Sequence, residues 1–279
     1  MSSATTTQPT SAGHEQISRT ISVLGQRLYV SIRRGDGTRT PLLIMNGIGA
    51  NLELLQPFVD ALDPAIEAIR FDVPGVGGSP TPLLPYRFPA LAFLVGRMLD
   101  ALGYGRVDTL GISWGGALAQ QFALQYPWRC RKLVLVSTAT GALMVPGNPS
   151  VLAKLATPRR YTEPGYMEAI APEIYGGEID PSLARDFAEQ MRPGDARGYM
   201  YQMLGGAGWT SVPWLHCVRQ RTLVVAGDDD RLIPVVNAKL MHRLIPHSNL
   251  YIFHGGHLGL VLQAHELGPV IGSFLASAR

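Results

Sequence analysis

Three short stretches of the chain carry residues whose types and spacing could act together in catalysis. Gly111-Ile112-Ser113-Trp114-Gly115-Gly116 offers a serine; Gly227-Asp228-Asp229-Asp230-Arg231-Leu232-Ile233-Pro234 offers carboxylates; His254-Gly255-Gly256-His257-Leu258 offers imidazoles. A serine hydroxyl is a weak nucleophile until a base takes its proton. The base in turn needs an acid that fixes its tautomer and stabilises the imidazolium. Glycines two residues to either side of Ser113 remove the Cβ atoms that would block a sharp, strained turn, which is the nucleophile-elbow pattern GxSxG. The order serine, acid, histidine, each after an apolar run, matches that elbow. The chemistry implied is acyl transfer to water through an acyl-enzyme on Ser113, which calls for no metal and no organic cofactor.

Three consecutive carboxylates cannot all face one imidazole. Asp230 is favoured as the acid because a GxxDxxxP turn puts its last carboxylate at the loop apex just before a helix; Asp229 is intermediate and Asp228 the weakest choice. An alternative home for the acid, after the preceding strand, is occupied by Ser137-Thr138, which has no carboxylate. His257 is favoured as the base because it lies past the glycines on the loop, whereas His254 sits close enough to the strand to be structural. A HisxxHis spacing could hold a metal, but no third ligand is evident. His14, His216, His242, His247 and His265 have no matching context. An oxyanion hole needs two preorganised N–H donors, expected from the backbone of Trp114 and of Ile48 in the early loop Asn46-Gly47-Ile48-Gly49. Loss of one such donor costs about 3 to 4 kcal/mol of transition-state stabilisation.

These stretches need a scaffold, and the apolar pattern supplies one. Val107–Ile112 reads as a buried strand and Trp114–Tyr126 as a helix with Leu118, Phe122 and Tyr126 on one face. Upstream, Thr20–Leu24 and Arg27–Ile32 read as a hairpin around Gly25-Gln26; Pro41–Met45 and Ile66–Val73 read as strands, with a helix between Asn51 and Leu62. The helix through Leu91, Leu94, Val95, Met98, Leu99 and Leu102 is stopped by Gly103. Strands at Lys132–Val136, Thr222–Ala226 and Asn249–Phe253, and helices at Val235–Ile245 and within Ala264–Ala276, continue the alternation. Parallel strands need crossovers and short crossovers are helical, so the pattern implies a mostly parallel sheet with helices on both faces.

The alternation stops after Ser137 and resumes only at Thr222. The 84 residues from Thr138 to Arg221 are too many for a loop and are expected to form an inserted cap subdomain. Helices are expected at Glu168–Tyr175, Asp180–Arg192 and Arg197–Leu204. The insert carries five of the nine Met, five of the ten Tyr and two of the four Trp, more than its share. Either it needs these residues for its own core, or some form an apolar ceiling over Ser113. Met144, Tyr199, Met203, Trp209 and Trp214, together with Asn46 below them, are the candidate substrate contacts. Gly205-Gly206 and Gly208 suit a hinge or simple turns.

Composition narrows the partners. A formal net charge of +3 with no Lys/Arg block leaves no footprint for nucleic acid, and no apolar run is long enough for a transmembrane segment. Cys130 and Cys217 lack the spacing of a metal or redox site and read as reduced thiols. Residues 1–17 read as a disordered tail, leaving 18–137 and 222–279 as the core and 138–221 as the cap, in a cytoplasmic protein.

Asn46-Gly47-Ile48-Gly49-Ala50-Asn51, Phe71-Asp72-Val73-Pro74-Gly75-Val76-Gly77-Gly78-Ser79, the run from Gly111 to Phe122, and Gly227-Asp228-Asp229-Asp230 with Ile233-Pro234 resemble the successive blocks of α/β-hydrolases. In their wording they are similar to the intracellular depolymerases of medium-chain-length polyhydroxyalkanoate. The likeness runs from about Thr40 to about Leu260. It includes insert segments, Pro158-Arg159-Arg160-Tyr161, Ile174-Tyr175-Gly176-Gly177 and Gly208-Trp209-Thr210-Ser211, where hydrolases usually diverge most. The resemblance implies an α/β-hydrolase fold and a granule-associated serine esterase acting on polymers or oligomers of 3-hydroxy fatty acids, with Ser113, Asp230 and His257 as the matching triad. Related polymer synthases place a cysteine at the elbow, so Ser113 argues for a hydrolase. A generic carboxylesterase or lipase, another chemistry of the same fold such as C–C bond hydrolysis, and a non-catalytic granule-binding protein are the alternatives. The complete triad speaks against the last.

Overall fold

The computed structural model describes residues 6–9, 15–157, 165–177 and 195–277. Its frame is a nine-stranded sheet in the order β1-β2-β3-β5-β4-β6-β7-β8-β9. The strands are β1 (Thr6–Pro9), β2 (Glu15–Val23), β3 (Gln26–Arg33), β4 (Leu42–Met45), β5 (Ala68–Phe71), β6 (Val107–Ile112), β7 (Cys130–Val136), β8 (Arg221–Gly227) and β9 (Ser248–Phe253). β1, β2, β3 and β5 pair antiparallel in succession, and every pair from β5 through β4 to β9 is parallel.

The period-2 alternation of each central strand feeds two cores. Leu43 and Met45 of β4 face one side, where they join helices α2 (Phe88–Leu102), α3 (Trp114–Gln125) and α7 (Val236–Leu244). Leu42 and Ile44 face the other, joining α1 (Gln56–Ala61), α8 (Gly259–Leu262) and α9 (Ala264–Ala276). β4, β5 and β6 are buried throughout; β4 reads as an unbroken apolar run, while β5 and β6 also bury Arg70, Asp108 and Thr109. Gly103 ends α2 in the left-handed region, its N–H returning to Leu99 and Asp100.

Two expectations are corrected at the N-terminal edge. The hairpin turns at Leu24-Gly25, both with positive φ (51° and 80°), one residue earlier than Gly25-Gln26, and Val23 pairs with Gln26. A two-residue turn whose central residues both have positive φ matches the twist of the flanking strands. Residues 6–9 and 15–17, expected to be tail, are strand: Thr6–Pro9 pair with Glu15–Ser18 at the edge of the sheet. A polar segment can pair there because main-chain hydrogen bonds do not require a buried apolar face, and its threonines favour extended backbone.

Between β7 and β8 the described residues form α4 (Pro149–Ala156), α5 (Tyr166–Tyr175), α6 (Ala196–Gly206) and a 3₁₀ turn at Leu215–Cys217. The expected helices Glu168–Tyr175 and Arg197–Leu204 fall within α5 and α6. α4 is not among the expected helices, although Asn148-Pro149 is its start signal: the Asn148 side chain accepts from the Ser150 N–H at 3.0 Å with proline in the first turn. The expected helix Asp180–Arg192 and the segment Pro158-Arg159-Arg160-Tyr161 lie outside the described residues. Among the described residues no helix is long and apolar enough to cross a membrane.

Candidate active site

Ser113 stands between the end of β6 and the first residue of α3 with φ 53° and ψ −121°. This strained conformation is held on both sides. Its N–H donates to the Val136 carbonyl (3.0 Å), and its carbonyl accepts from the Gly116 N–H (2.9 Å) and the Thr138 hydroxyl (2.7 Å). The flanking glycines are needed for space. A Cβ on Gly111 would lie 2.6 Å from Gly116 Cα, and one on Gly115 would run into the carbonyls of Met45 and Asn46 at the end of β4. The elbow therefore requires β4, β6 and α3 to approach more closely than any side chain allows.

The three aspartates after β8 have three different partners. Asp230 is buried, and its Oδ2 lies 2.8 Å from Nδ1 of buried His257; its Oδ1 accepts from the N–H groups of Leu232 (3.0 Å) and Ile233 (2.8 Å). A carboxylate only accepts, so Nδ1 donates, and in the neutral imidazole Nε2 is then the nitrogen with the lone pair. His257 is further fixed by its own N–H, which donates to the Tyr175 carbonyl (2.7 Å), and by the Tyr175 ring stacked alongside it. Asp229 accepts from the Gly177 N–H (2.7 Å) and faces Arg231 at 3.6 Å. Asp228 pairs with exposed His254 (3.0 Å) and accepts from the Gly255 N–H; the His254 bond and then that N–H hold its carboxyl below the usual carboxylate range.

Ser113 and His257 open together into a cavity of about 530 Å³ with predominantly apolar walls. Asn46, Gly47, Ile48, Leu54 and Ile112 form part of the lining on the core side, and Met144, Leu152, Tyr175, Tyr199 and Met203 line it from the segment between β7 and β8. Of the residues expected over Ser113, Met144, Tyr199 and Met203 reach this cavity, while Trp209 and Trp214 do not. Both indoles pack into the core beside α2 and α3: Trp209 lies 5.1 Å from the Phe88 ring and 5.8 Å from Trp214, and its Nε1 donates to Gln121 Oε1 of α3 at 2.7 Å. A half-buried indole needs a partner for its N–H, and α3 supplies one. Leu152 and Tyr175 escape the sequence reading, as do Leu232, Ile233 and Leu258, although adjacency to Asp230 and His257 is a signal that could find the last three.

The early loop lies against the elbow. A Cβ on Gly47 would be in ordinary contact with the Ser113 Cβ, at 3.6 Å. Asn46 lines the cavity but commits its amide to the loop: Nδ2 donates to the Asn51 carbonyl (2.7 Å) and Oδ1 accepts from the Gly47 N–H (2.8 Å). The Ala50 N–H closes a turn onto the Gly47 carbonyl (3.2 Å), with Gly49 at φ 71°, and the Gly49 N–H donates to Gln202 Oε1 (2.8 Å). Among the described residues, the backbone N–H groups of Ile48 and Trp114, on either side of Ser113, donate to no protein acceptor. Asp72 ties this region to the end of β5 by accepting from Leu52 and Gly78, both at 2.7 Å; burial pushes its carboxyl up to about 7 against the pull of those two N–H groups.

This frame, with a serine on a strained strand-to-helix turn and a histidine backed by a carboxylate, defines a class. Residues 40–264 match the family model for the alpha/beta hydrolase fold, and the chain belongs to that family. It is 55% identical over 265 residues to a poly(3-hydroxyalkanoate) depolymerase of Ectopseudomonas oleovorans, a match covering 94% of each chain. It is also 28% identical over 248 residues to 3-oxoadipate enol-lactonase 2 of Acinetobacter baylyi, covering 85% of this chain and 89% of the relative. Among solved structures, the enol-lactonase of Burkholderia xenovorans superposes with a TM-score of 0.81 at 21% identity, over 92% of this chain and 100% of that one. At that identity the superposition speaks for the fold alone, which is the fold the sequence blocks imply.

Proposed function

We propose that the protein is a serine ester hydrolase that cleaves the ester bonds of medium-chain-length polyhydroxyalkanoate, with residues 138–221 as a cap over the site. The observation that carries this reading is the opening of Ser113 and the Asp230-backed His257 into one apolar cavity. The extent of the match to the depolymerase of Ectopseudomonas oleovorans supports the polymer as the substrate.

In this reading His257 Nε2 takes the proton of Ser113 as its Oγ attacks the ester carbonyl, and Asp230 stabilises the imidazolium. The N–H groups of Ile48 and Trp114 receive the oxyanion. Collapse expels the 3-hydroxyl oxygen of the neighbouring unit, which takes its proton from His257, and the acyl group remains on Ser113. Water, deprotonated by His257, then releases the acid.

The walls formed by Met144, Leu152, Tyr199, Met203, Leu232 and Ile233 suit the alkyl side chain of a 3-hydroxy acid unit. Each methylene buried is worth about 0.8 kcal/mol, so kcat/KM for p-nitrophenyl esters is expected to rise on the order of 100-fold from butanoate to octanoate. A medium-chain polyester latex should clear under the same conditions. Hydrolysis confined to short soluble esters would remove the polymer and leave a generic esterase.

Exposed apolar side chains on α6, which lines the cavity through Tyr199 and Met203, and on a loop bonded to it support work at a polymer surface, and granule association is part of the proposal. Leu83 is 93% exposed and Leu84 77%, on a loop tied to α6 by the Tyr201 hydroxyl on the Leu83 carbonyl and by Arg87 on the Leu204 carbonyl. Met200, Met203 and Leu204 of α6 are exposed as well, and Met203 also lines the cavity. Leu83→Ser/Leu84→Ser should lower activity on latex about tenfold or more while leaving p-nitrophenyl octanoate turnover within about twofold, because the lost apolar area touches only the polymer surface. Equal loss on both substrates would place these leucines in folding or in the site instead.

A further inference from the structure

The segment between β7 and β8 does more than line the cavity; through one residue of α6 it reaches both sides of the oxyanion site. Gln202 is fully buried. Its Oε1 accepts the Gly49 N–H at 2.8 Å, inside the Gly47–Ala50 turn that carries Ile48. Its main-chain carbonyl accepts Nε1–H of the Trp114 indole at 3.0 Å. A single residue thus holds the peptide next to one oxyanion donor and the side chain of the residue that bears the other. Tyr199, one turn earlier on the same helix, backs the contact, since a Cβ on Gly49 would lie 3.4 Å from its ring.

The chemistry of the side chain indicates that this contact has a purpose beyond packing. Gln202 Nε2 is buried with no hydrogen-bond partner among the described residues. A leucine or methionine would fill the same volume without burying an unsatisfied amide. What neither could supply is an acceptor for the Gly49 N–H. In a turn with Gly49 at φ 71°, the middle peptide can flip between turn types, and an acceptor fixed on a helix selects one orientation.

We propose that Gln202 is a positioning residue: α6 sets the oxyanion hole through Gln202, so the donors are aligned only when this helix is seated on the core. The inference rests on the serine-hydrolase reading above. It makes the segment after β7 a part of transition-state stabilisation, so that a change in the seating of α6 changes kcat as well as substrate entry.

Gln202→Met removes the acceptor with little change in volume. With p-nitrophenyl octanoate, kcat per titrated active site is expected to fall about 10- to 100-fold with KM within about twofold, because misaligned donors weaken the transition state and not ground-state binding. Affinity for an alkyl trifluoromethyl ketone, whose adduct on Ser113 places an oxyanion in the hole, should fall in parallel, while affinity for octanoate does not. Gln202→Glu, which retains an oxygen for the Gly49 N–H, should recover at least half of the loss on a logarithmic scale. Trp114→Phe keeps the backbone donor and removes the indole N–H; it should lower kcat in the same direction and combine less than additively with Gln202→Met. Normal kcat per active site in both Gln202→Met and Trp114→Phe, with only a lower Tm, would overturn the proposal and leave Gln202 as packing. Survival of turnover in Ser113→Ala would instead overturn the reading on which it rests.

Discussion

Ser113→Ala is expected to lower the turnover of p-nitrophenyl octanoate by about 10⁶-fold, as in serine hydrolases whose nucleophile and base act as one unit. What remains is catalysis by binding and the oxyanion donors, about 10³ to 10⁴ above water. The fold should not notice the change. The three bonds that hold residue 113 in its strained conformation come from its own N–H and carbonyl, not from its hydroxyl. Alanine carries the same Cβ at φ 53°, so the backbone strain is unchanged. Tm is therefore expected within about 1 or 2 °C of the parent, the scale of substitutions that break no buried contact. Turnover that survived with a native Tm would require a different nucleophile.

The second large effect is expected at Asp230. Its Oδ1 accepts two main-chain N–H groups, from Leu232 and Ile233, and its Oδ2 faces His257 Nδ1. An asparagine must put its oxygen toward those two donors, which leaves its NH₂ pointing at Nδ1. The imidazole then accepts at Nδ1 and carries its proton on Nε2, the nitrogen that should receive the proton of Ser113. Asp230→Asn should thus cost about 10⁴-fold in kcat with the geometry intact, the loss seen when a triad histidine is held in the wrong tautomer. Asp228→Asn is the control: its histidine, His254, is exposed on the surface, and kcat should stay within about twofold. If the two variants traded places, the acid would be Asp228 and the pairing of His254 would have to be rearranged for catalysis.

Much of this is legible in the amino-acid sequence because it depends on local rules. The elbow announces itself through glycines that clear space between β4, β6 and α3, and β4 beneath it is apolar on both faces, so its run is unbroken. Asp230 can be favoured from its place in the loop, yet only the folded loop shows how Asp228, Asp229 and Asp230 divide among His254, Gly177 and His257. The segment after β7 is least legible. Whether an indole faces a cavity or a core depends on a partner such as Gln121, 88 residues away from Trp209, and no periodicity in the insert encodes that distance. Gln202 escapes a sequence reading for the same reason: its acceptor serves Gly49 at a separation of 153 residues. At the N-terminal edge, Leu24 takes a positive φ that sequence rules assign to glycine, which displaces the expected turn by one residue.

The central claim, that Ser113 with His257 and Asp230 hydrolyses a polyester and not merely a small ester, is tested most directly by the products. Purified protein incubated with poly(3-hydroxyoctanoate) latex in ¹⁸O-labelled water should release 3-hydroxyoctanoate or its short oligomers. Each new carboxyl group should carry one labelled oxygen, and Ser113→Ala should release none. Latex left intact by a protein that turns over p-nitrophenyl octanoate, or release that persists in Ser113→Ala, would contradict the account.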